Sequence, residues 1–131
     1  MSTLLDRQVL DNGVVVAFSD RSNRYFGDYH RICIDVSCHI RLSVETFTAA
    51  GDPEAEYRKA QSALGEEAVY QRTLERMGVA GAEVVETRQR MINEFCQTNF
   101  PYLGSPEFPA RFVASEMAKV RKPRHLFVPK P

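Results

Sequence analysis

The stretch RICIDVSCHIRL, residues 31–42, alternates strictly between polar and apolar side chains. Because a β-strand turns successive side chains to opposite faces, this pattern predicts one long strand with a single buried face. We expect this strand, packed through its apolar side, to decide the fold. The apolar side holds Ile32, Ile34, Val36, Cys38, Ile40 and Leu42.

Two shorter strands are predicted ahead of the long one, at about residues 6–10 and 14–18. Asn12-Gly13 between them is a strong signal for a two-residue hairpin turn, since both central residues of a type I′ turn need a positive φ. This turn would place Leu10 opposite Val15. The sequence therefore predicts a three-stranded antiparallel meander, with the second strand in the middle and the long strand at one edge.

The connection to the long strand carries two conflicting signals. Gly27-Asp28 is also typical of a two-residue turn, but that register would set Phe18 against Ser37 and send the two apolar sets to opposite faces. A slip of one residue is costly wherever one face of a sheet is buried. We therefore expect a three-residue turn, a bulge or a longer loop within residues 21–29.

The second half of the chain has helical spacing. Asp52 is a good N-cap and Pro53 a good first helical residue, and apolar residues then recur at helical intervals as far as residue 77. Gly65 lies within this run, so residues 53–77 are predicted to form one helix, or two helices divided at Gly65. Further helices are predicted over residues 82–98 and up to Val120, with a proline-rich loop at 100–109.

These elements predict an α+β fold, in which three or four helices pack on a three-stranded sheet. A chain of 131 residues is expected to form one domain, here residues 1–120, followed by a proline-containing tail at 121–131. No apolar run approaches the ~20 residues of a membrane helix, and the first residues do not resemble a signal peptide. Three widely spaced cysteines without a C-x-x-C pair indicate reduced thiols, so a cytoplasmic location is expected.

The net charge of zero hides an uneven distribution. Residues 52–118 carry seven basic and eleven acidic side chains, whereas residues 119–131 carry five basic ones and no acidic one. Because Lys and Arg bind phosphates and carboxylates, this basic tail is a candidate contact surface for nucleic acid or an acidic protein surface. Its candidate residues are Lys119, Arg121, Lys122 and Arg124.

A second candidate surface is the segment RSNRYFGDYHR, residues 21–31. Three arginines and three aromatic residues close together are able to stack on a base or bind an anionic group. Loops on a rigid scaffold frequently carry function, so this segment is predicted to contact a partner. Its candidate residues are Arg21, Arg24, Tyr25, Phe26, Tyr29 and Arg31.

The glycine turn after residue 77 resembles the turn of helix-turn-helix DNA-binding units, in the sequence Met77-Gly78-Val79 followed by Val84. It departs from that pattern at Leu74, where a small residue is usual, and in the acidic start of the following helix. Acidic residues at that position oppose a phosphate backbone. An ordinary αα-hairpin is therefore the preferred interpretation.

No catalytic constellation is predicted. Asp35, Ser37 and His39 share one face of the long strand, but same-face neighbours lie roughly 6.5 to 7 Å apart and Asp35 about 13 Å from His39. A Ser-His-Asp relay needs hydrogen-bond contact throughout. The histidines and cysteines lack zinc-site spacing, and phosphate-binding and dinucleotide glycine motifs are absent. We therefore predict no catalytic residue, no metal site and no cofactor.

The leading hypothesis is a non-enzymatic cytoplasmic module that binds an unknown protein partner and forms a homodimer. The unprotected edge of the long strand, with Leu10, Val15 and Ala17 on the polar face of the sheet, favours the homodimer. Two alternatives remain open. One is nucleic-acid binding through the tail, assisted by Arg88 and Arg90. The other is a small-ligand protein or enzyme with a pocket between the sheet and the helices, beneath the proline-rich loop near Tyr102.

Overall fold

The computed structural model describes residues 3–48 and 51–121, and it confirms the α+β class. A five-stranded sheet is combined with three α-helices. The strands are β1 (Thr3–Val9), β2 (Val15–Asp20), β3 (Asn23–Phe26), β4 (Tyr29–Arg41) and β5 (Glu67–Ala80). The helices are α1 (Pro53–Leu64), α2 (Val84–Leu103) and α3 (Phe108–Arg121), with short 3-10 helices at Val44–Phe47 and Gly81–Glu83.

Strand β4 is the long strand that the alternating pattern predicts. Its apolar side chains are buried, and β2 pairs with it in antiparallel register, Val16 opposite Cys38 and Phe18 opposite Val36. Phe18 therefore meets an apolar partner and not Ser37, as the argument from the buried face requires. Phe18 and Val36 lie at the centre of the sheet's apolar face.

Strand β3 resolves the conflict between the two turn signals. Phe26 pairs with Tyr29 across a two-residue turn in which Gly27 has φ 55°, so Gly27-Asp28 does form the turn. The register of the β3–β4 pair then shifts between Arg24 and Phe26. This β-bulge at Tyr25 adds the one residue that lets β2 and β4 pair in the correct register. Both signals were right, because the bulge reconciles them.

The prediction of a two-residue turn at Asn12-Gly13 is wrong. Leu10 donates a backbone hydrogen bond to the carbonyl of Val14 at 2.8 Å, so the loop has three residues and only Gly13 has a positive φ, 89°. Val9, not Leu10, is therefore opposite Val15. Asn12 is held elsewhere, because its Nδ2 donates to the carbonyls of Leu103 and Ser105 at 2.7 and 2.8 Å.

The helix predicted over residues 53–77 is also wrong in its second half. Asp52 caps α1 as expected and accepts a hydrogen bond from the amide of Ala55, but the helix ends at Gly65, whose φ is 85°. The following residues form β5, which pairs with β4. Strand β4 therefore has neighbours on both sides, and the sheet is not a three-stranded meander with β4 at its edge.

Helix α2 is longer than predicted. It continues to Leu103 with Pro101 inside its last turn, so the predicted loop at 100–109 is reduced to residues 104–107. Pro101 has no backbone N–H, so the carbonyl of the exposed Gln97 loses the hydrogen bond that position 101 would otherwise donate. A lost bond on the solvent side leaves the carbonyl to water, so the helix tolerates Pro101.

The described chain divides into two compact units, residues 3–39 with 69–105 and residues 40–48 with 51–68 and 106–121. In the first unit α2 lies across the sheet, where the rings of Phe95 and Phe18 pack edge to face with centroids 5.8 Å apart. In the second unit α1 contacts α3. The single domain expected over residues 1–120 stays a prediction.

Candidate interaction surfaces

The aromatic residues of the second candidate segment lie at the turn between β3 and β4, here called the hairpin tip (residues 24–29). The bulge and the two-residue turn place Tyr25, Phe26 and Tyr29 close together in the chain, and all three side chains remain exposed, at 47, 72 and 51%. The hydroxyl of Tyr25 reaches β5, since it lies 4.0 Å from the position that a β-carbon would take at Gly78. The tip thus presents apolar area to solvent on a hydrogen-bonded scaffold.

The base of the hairpin tip is fixed by the end of β5. The amide of Gly81 donates to the Asp28 carbonyl at 3.0 Å, and its distance to the Asp28 Oδ2 is 3.2 Å. A β-carbon at position 81 would lie 2.4 Å from the Asp28 Oδ1 and 3.3 Å from the His30 Nε2. A side chain at position 81 would therefore require the Asp28 carboxylate to move.

Two of the three arginines in this segment are engaged within the sheet. Arg21 donates to both carboxylate oxygens of Asp35, at 2.7 and 3.0 Å, and Arg31 donates to Glu75 on β5. Within the described ranges, Arg24 alone of the three forms no ion pair, and it is exposed. Arg24 is therefore the arginine that the hairpin tip leaves available for an anionic group.

The Arg21–Asp35 pair shifts the ionisation of both groups. The hydrogen bond from Arg21 is the main cause that lowers the pKa of Asp35, with a further contribution from the hydroxyl of Thr73, which donates at 3.2 Å. Because this pKa is lower in the folded than in the unfolded protein, ionised Asp35 stabilises the fold above its unfolded pKa. That contribution is lost as the pH falls through the folded pKa.

We expect Arg21→Met to raise the pKa of Asp35 towards its ordinary value, because the substitution removes the main hydrogen-bond donor while keeping the aliphatic stem. The measurement is a carboxyl-carbon NMR titration of Asp35. Arg24→Met is the matched control and should leave that titration unchanged. An unaltered Asp35 pKa in Arg21→Met would show that the pair does not form in solution.

The polar face of β4 does not form a hydrolytic triad. The Nε2 of His39 lies 3.1 Å from the hydroxyl of Ser37, so these two side chains are within hydrogen-bond distance although they stand two residues apart on the strand. Asp35 is committed to Arg21 and Thr73, and it does not reach His39. The arrangement is a serine–histidine hydrogen bond on a sheet face, and Asp35 is not part of it.

The basic tail is only partly within the described residues. Lys119 on α3 donates to Glu116 at 2.9 Å, while the side chain of Arg121, together with Lys122 and Arg124, lies outside the described part. The helical arginines proposed to assist are also paired, Arg88 with Asp20 and Arg90 with Glu86. The helix-turn-helix resemblance and the αα-hairpin are both wrong, since residues 67–80 form a strand.

An open groove of about 400 Å³ runs between β5 and α2. On one side it is lined by five consecutive residues of β5, from Arg72 to Arg76; on the other it is lined by one face of α2, Met91, Glu94, Phe95, Thr98 and Asn99. The lining of this groove is not predicted, because the apolar spacing through residue 77 favours a helix over residues 72–76. The β-branched and aromatic residues Val69, Tyr70 and Thr73 were the available signal for a strand.

A second groove of about 430 Å³ lies where the turn after β1 meets the end of α2, lined by Leu10, Phe100 and Gly104 among others. Its position partly matches the pocket hypothesised near the proline-rich loop. The lining brings together apolar surface and the single carboxylate of Asp11. A specific small-molecule site has several polar groups converging on the ligand, which this set does not supply.

Within residues 3–48 and 51–121, no cluster of metal-ligating side chains occurs, and no helix is long and apolar enough to cross a membrane. The three cysteines are free thiols. Burial raises the pKa of Cys38 to about 11 and also raises that of Cys96, so these two thiols are poor nucleophiles at neutral pH.

Comparisons with known proteins give no independent assignment. The chain matches no family model, no curated protein and no solved structure. The hairpin tip and the groove beside β5 are the features of this chain that bear on its function.

Proposed function

We propose that this chain is a non-enzymatic protein-interaction module that contacts its partner through the hairpin tip. The observation that carries the proposal is the 47–72% exposure of Tyr25, Phe26 and Tyr29 on one turn. Aromatic residues and arginine are enriched in the energetically dominant positions of protein interfaces. Arg24 adds an arginine without an ion pair among the described residues, at the rim of the aromatic cluster.

The hydrogen bonding at the base of the tip supports the same proposal. The amide of Gly81 donates to the Asp28 carbonyl and so ties the turn to the segment after β5. A surface ordered in advance loses little conformational entropy on binding. A small aromatic cluster on such a base is therefore suited to bind specifically.

We further propose that a second copy of the chain is the partner and that the protein is cytoplasmic. The three free cysteines favour a reducing compartment. An exposed apolar patch that meets its own copy about a two-fold axis forms a self-complementary interface. Strand β5 pairs with the outer edge of β4, so that edge does not support a homodimer and the hairpin tip is the proposed contact surface.

Photo-crosslinking tests both parts of this proposal. With Phe26→p-benzoylphenylalanine, irradiation of the purified protein should yield an adduct at twice the mass of the chain. The same probe at Tyr102, which is 55% exposed at the opposite end of α2 from Gly81, is the matched control and should yield none. An adduct at another mass in an extract of the source cells would replace the homodimer with a different partner. No adduct at position 26 in either sample would contradict the tip as a contact surface.

Nucleic-acid binding through the tail is the alternative, and the sequence alone supports it. Since Arg88 and Arg90 are already paired, the tail would have to supply the phosphate contacts. Deleting residues 121–131 should then abolish a salt-sensitive affinity for nucleic acid. An unchanged affinity would remove the tail from consideration.

A further inference from the structure

The outer edge of β5 carries no strand within the described part of the chain. The direction of the β5 backbone groups follows from the pairing of its neighbour, β4. The carbonyl of Cys33 accepts a hydrogen bond from the amide of Arg21, which follows β2, so the odd-numbered residues of β4 direct their backbone groups away from β5. The side chains of Thr73 and Asp35 form a hydrogen bond, so the two residues lie opposite each other on one face of the sheet. Because the backbone of Asp35 points away from β5, they form a non-hydrogen-bonded pair. The backbone N–H and C=O groups of Gln71, Thr73 and Glu75 therefore point to the free edge.

The groove beside β5 follows this edge. A groove over one face of a strand is lined by alternate residues, whereas this one is lined by five residues in succession, 72–76. Helix α2 forms the opposite wall with residues three and four positions apart, including Met91 and Phe95. An extended chain placed there would pair with the edge and direct alternate side chains towards α2. This is the geometry of β-strand addition.

The charged side chains of the groove indicate which kind of peptide segment would bind there. Arg72 and Arg76 lie on the same face of β5, about 13 Å apart, and in the described residues neither forms an ion pair. The guanidinium of Arg72 lies 5.8 Å from the centre of the Phe95 ring. Glu94 is the one carboxylate on the α2 wall, and Glu75 is taken by Arg31. The free charge of the groove is therefore positive.

We propose that this groove binds an extended acidic segment of a partner protein by strand addition to β5. Acidic side chains four residues apart would meet Arg72 and Arg76, and an apolar side chain between them would lie near Leu74. A second copy of β5 is disfavoured, because two-fold antiparallel pairing about Leu74 would set Arg72 of each copy against Arg76 of the other. This surface is distinct from the hairpin tip and goes beyond the function proposed above.

Fluorescence anisotropy with two labelled peptides tests the charge requirement. The acidic probe is Ser-Glu-Thr-Val-Thr-Glu-Ser, and the control replaces both glutamates with lysine. We expect saturable binding of the acidic peptide and at least about tenfold weaker binding of the lysine peptide. The double substitution Arg72→Glu with Arg76→Glu should reverse this preference, while Arg111→Glu, at an exposed site on α3, should leave it unchanged.

The backbone requirement is tested on the peptide, so that the fold of the protein is untouched. The threonines would face Thr73 and Glu75 and bond to β5, whereas the central valine would direct its amide away. N-methylation of both threonines should weaken binding at least about tenfold, and N-methylation of the valine should not. Equal effects of the two modifications, or equal binding of the acidic and lysine peptides, would overturn the proposal.

Two further outcomes separate this proposal from its alternatives. Phe26→Ser removes an aromatic group of the hairpin tip and should leave peptide binding intact, so a failure of the tip as a contact surface does not affect this test. Gln71→Pro removes one outward amide and should weaken binding of the acidic peptide. If Gln71→Pro instead dissociates a homodimer in sedimentation velocity while wild-type protein binds neither peptide, the edge serves a second copy and the proposal is wrong.

Discussion

Phe18→Ala lowers the free energy of unfolding by about 4 kcal/mol, the largest loss we expect from a single substitution in this chain. Phe18 is fully buried on β2, and its ring packs edge to face on Phe95 of α2. Truncation removes the transfer free energy of the ring and leaves a cavity between sheet and helix. Urea denaturation, monitored by far-UV circular dichroism, measures the change as a shift of the midpoint at constant slope.

Phe26→Ala is the matched control for Phe18→Ala. It truncates the same type of side chain, here on β3, but the Phe26 ring is 72% exposed. We therefore expect the free energy of unfolding to change by no more than about 0.5 kcal/mol. Similar losses for the two variants would mean that Phe26 is packed in solution. A stable Phe26→Ala protein would instead show that the tip is dispensable for folding, which is what a binding surface requires.

The core strand was predictable because its signal is local. Alternation over residues 31–42 marks one buried face, and a buried face fixes the pairing register. The conflict at Gly27-Asp28 was predicted from these two facts alone, and a bulge at Tyr25 was among the solutions that they allow. Sequence pattern therefore specified the centre of the sheet, since both signals depend on neighbouring residues.

The turn after β1 was not predictable from its dipeptide. Asn12-Gly13 suits a two-residue turn, but Asn12 donates hydrogen bonds to the carbonyls of Leu103 and Ser105. These contacts join segments about ninety positions apart, and the three-residue loop lets them form. Tertiary hydrogen bonds thus override a local preference, and nothing within a short window of sequence reports them.

Strand β5 shows the same limit on a larger scale. Apolar residues at helical spacing through residue 77 favour a helix, and Ala68 and Leu74 fit that spacing as well as they fit a strand. After α1 ends at Gly65, the following residues pair with the free edge of β4. An extended segment supplies backbone hydrogen bonds to that edge, whereas a helix would not. Pairing between distant segments, not periodicity, decides the structure here.

The sequence identifies the candidate segments, but it does not show which of their side chains are already engaged in ion pairs. The sequence marks residues 21–31 as rich in arginine and aromatic residues, yet the ion pairs of Arg21 with Asp35 and of Arg31 with Glu75 depend on strand neighbours. Glu75 lies on β5, where the apolar spacing predicts a helix. The groove beside β5 depends on the same strand and on its packing against α2, so a local sequence pattern does not predict it.

Arg72→Pro should lower the free energy of unfolding by about 3 kcal/mol, because Arg72 directs its backbone towards β4. Asp35 and Thr73 meet on one face, and Asp35 directs its backbone towards β2, so even-numbered residues of β5 pair with β4. Proline at 72 removes one inner donor from the middle of this ladder. The chain also loses the cation–π contact of Arg72 with Phe95, and Arg72→Ala measures that part separately.

Gln71→Pro separates the pairing of β5 from the general effect of proline. The amide of Gln71 faces the free edge, where proline is tolerated, so we expect a loss of less than about 1 kcal/mol. Chemical denaturation of Arg72→Pro, Arg72→Ala and Gln71→Pro gives the comparison. Equal and large losses for the two prolines would indicate that residues 67–80 are helical, because a helix interior tolerates neither. A large loss only at 71 would mean that β5 pairs through its other edge, which would also remove the groove as a site for strand addition.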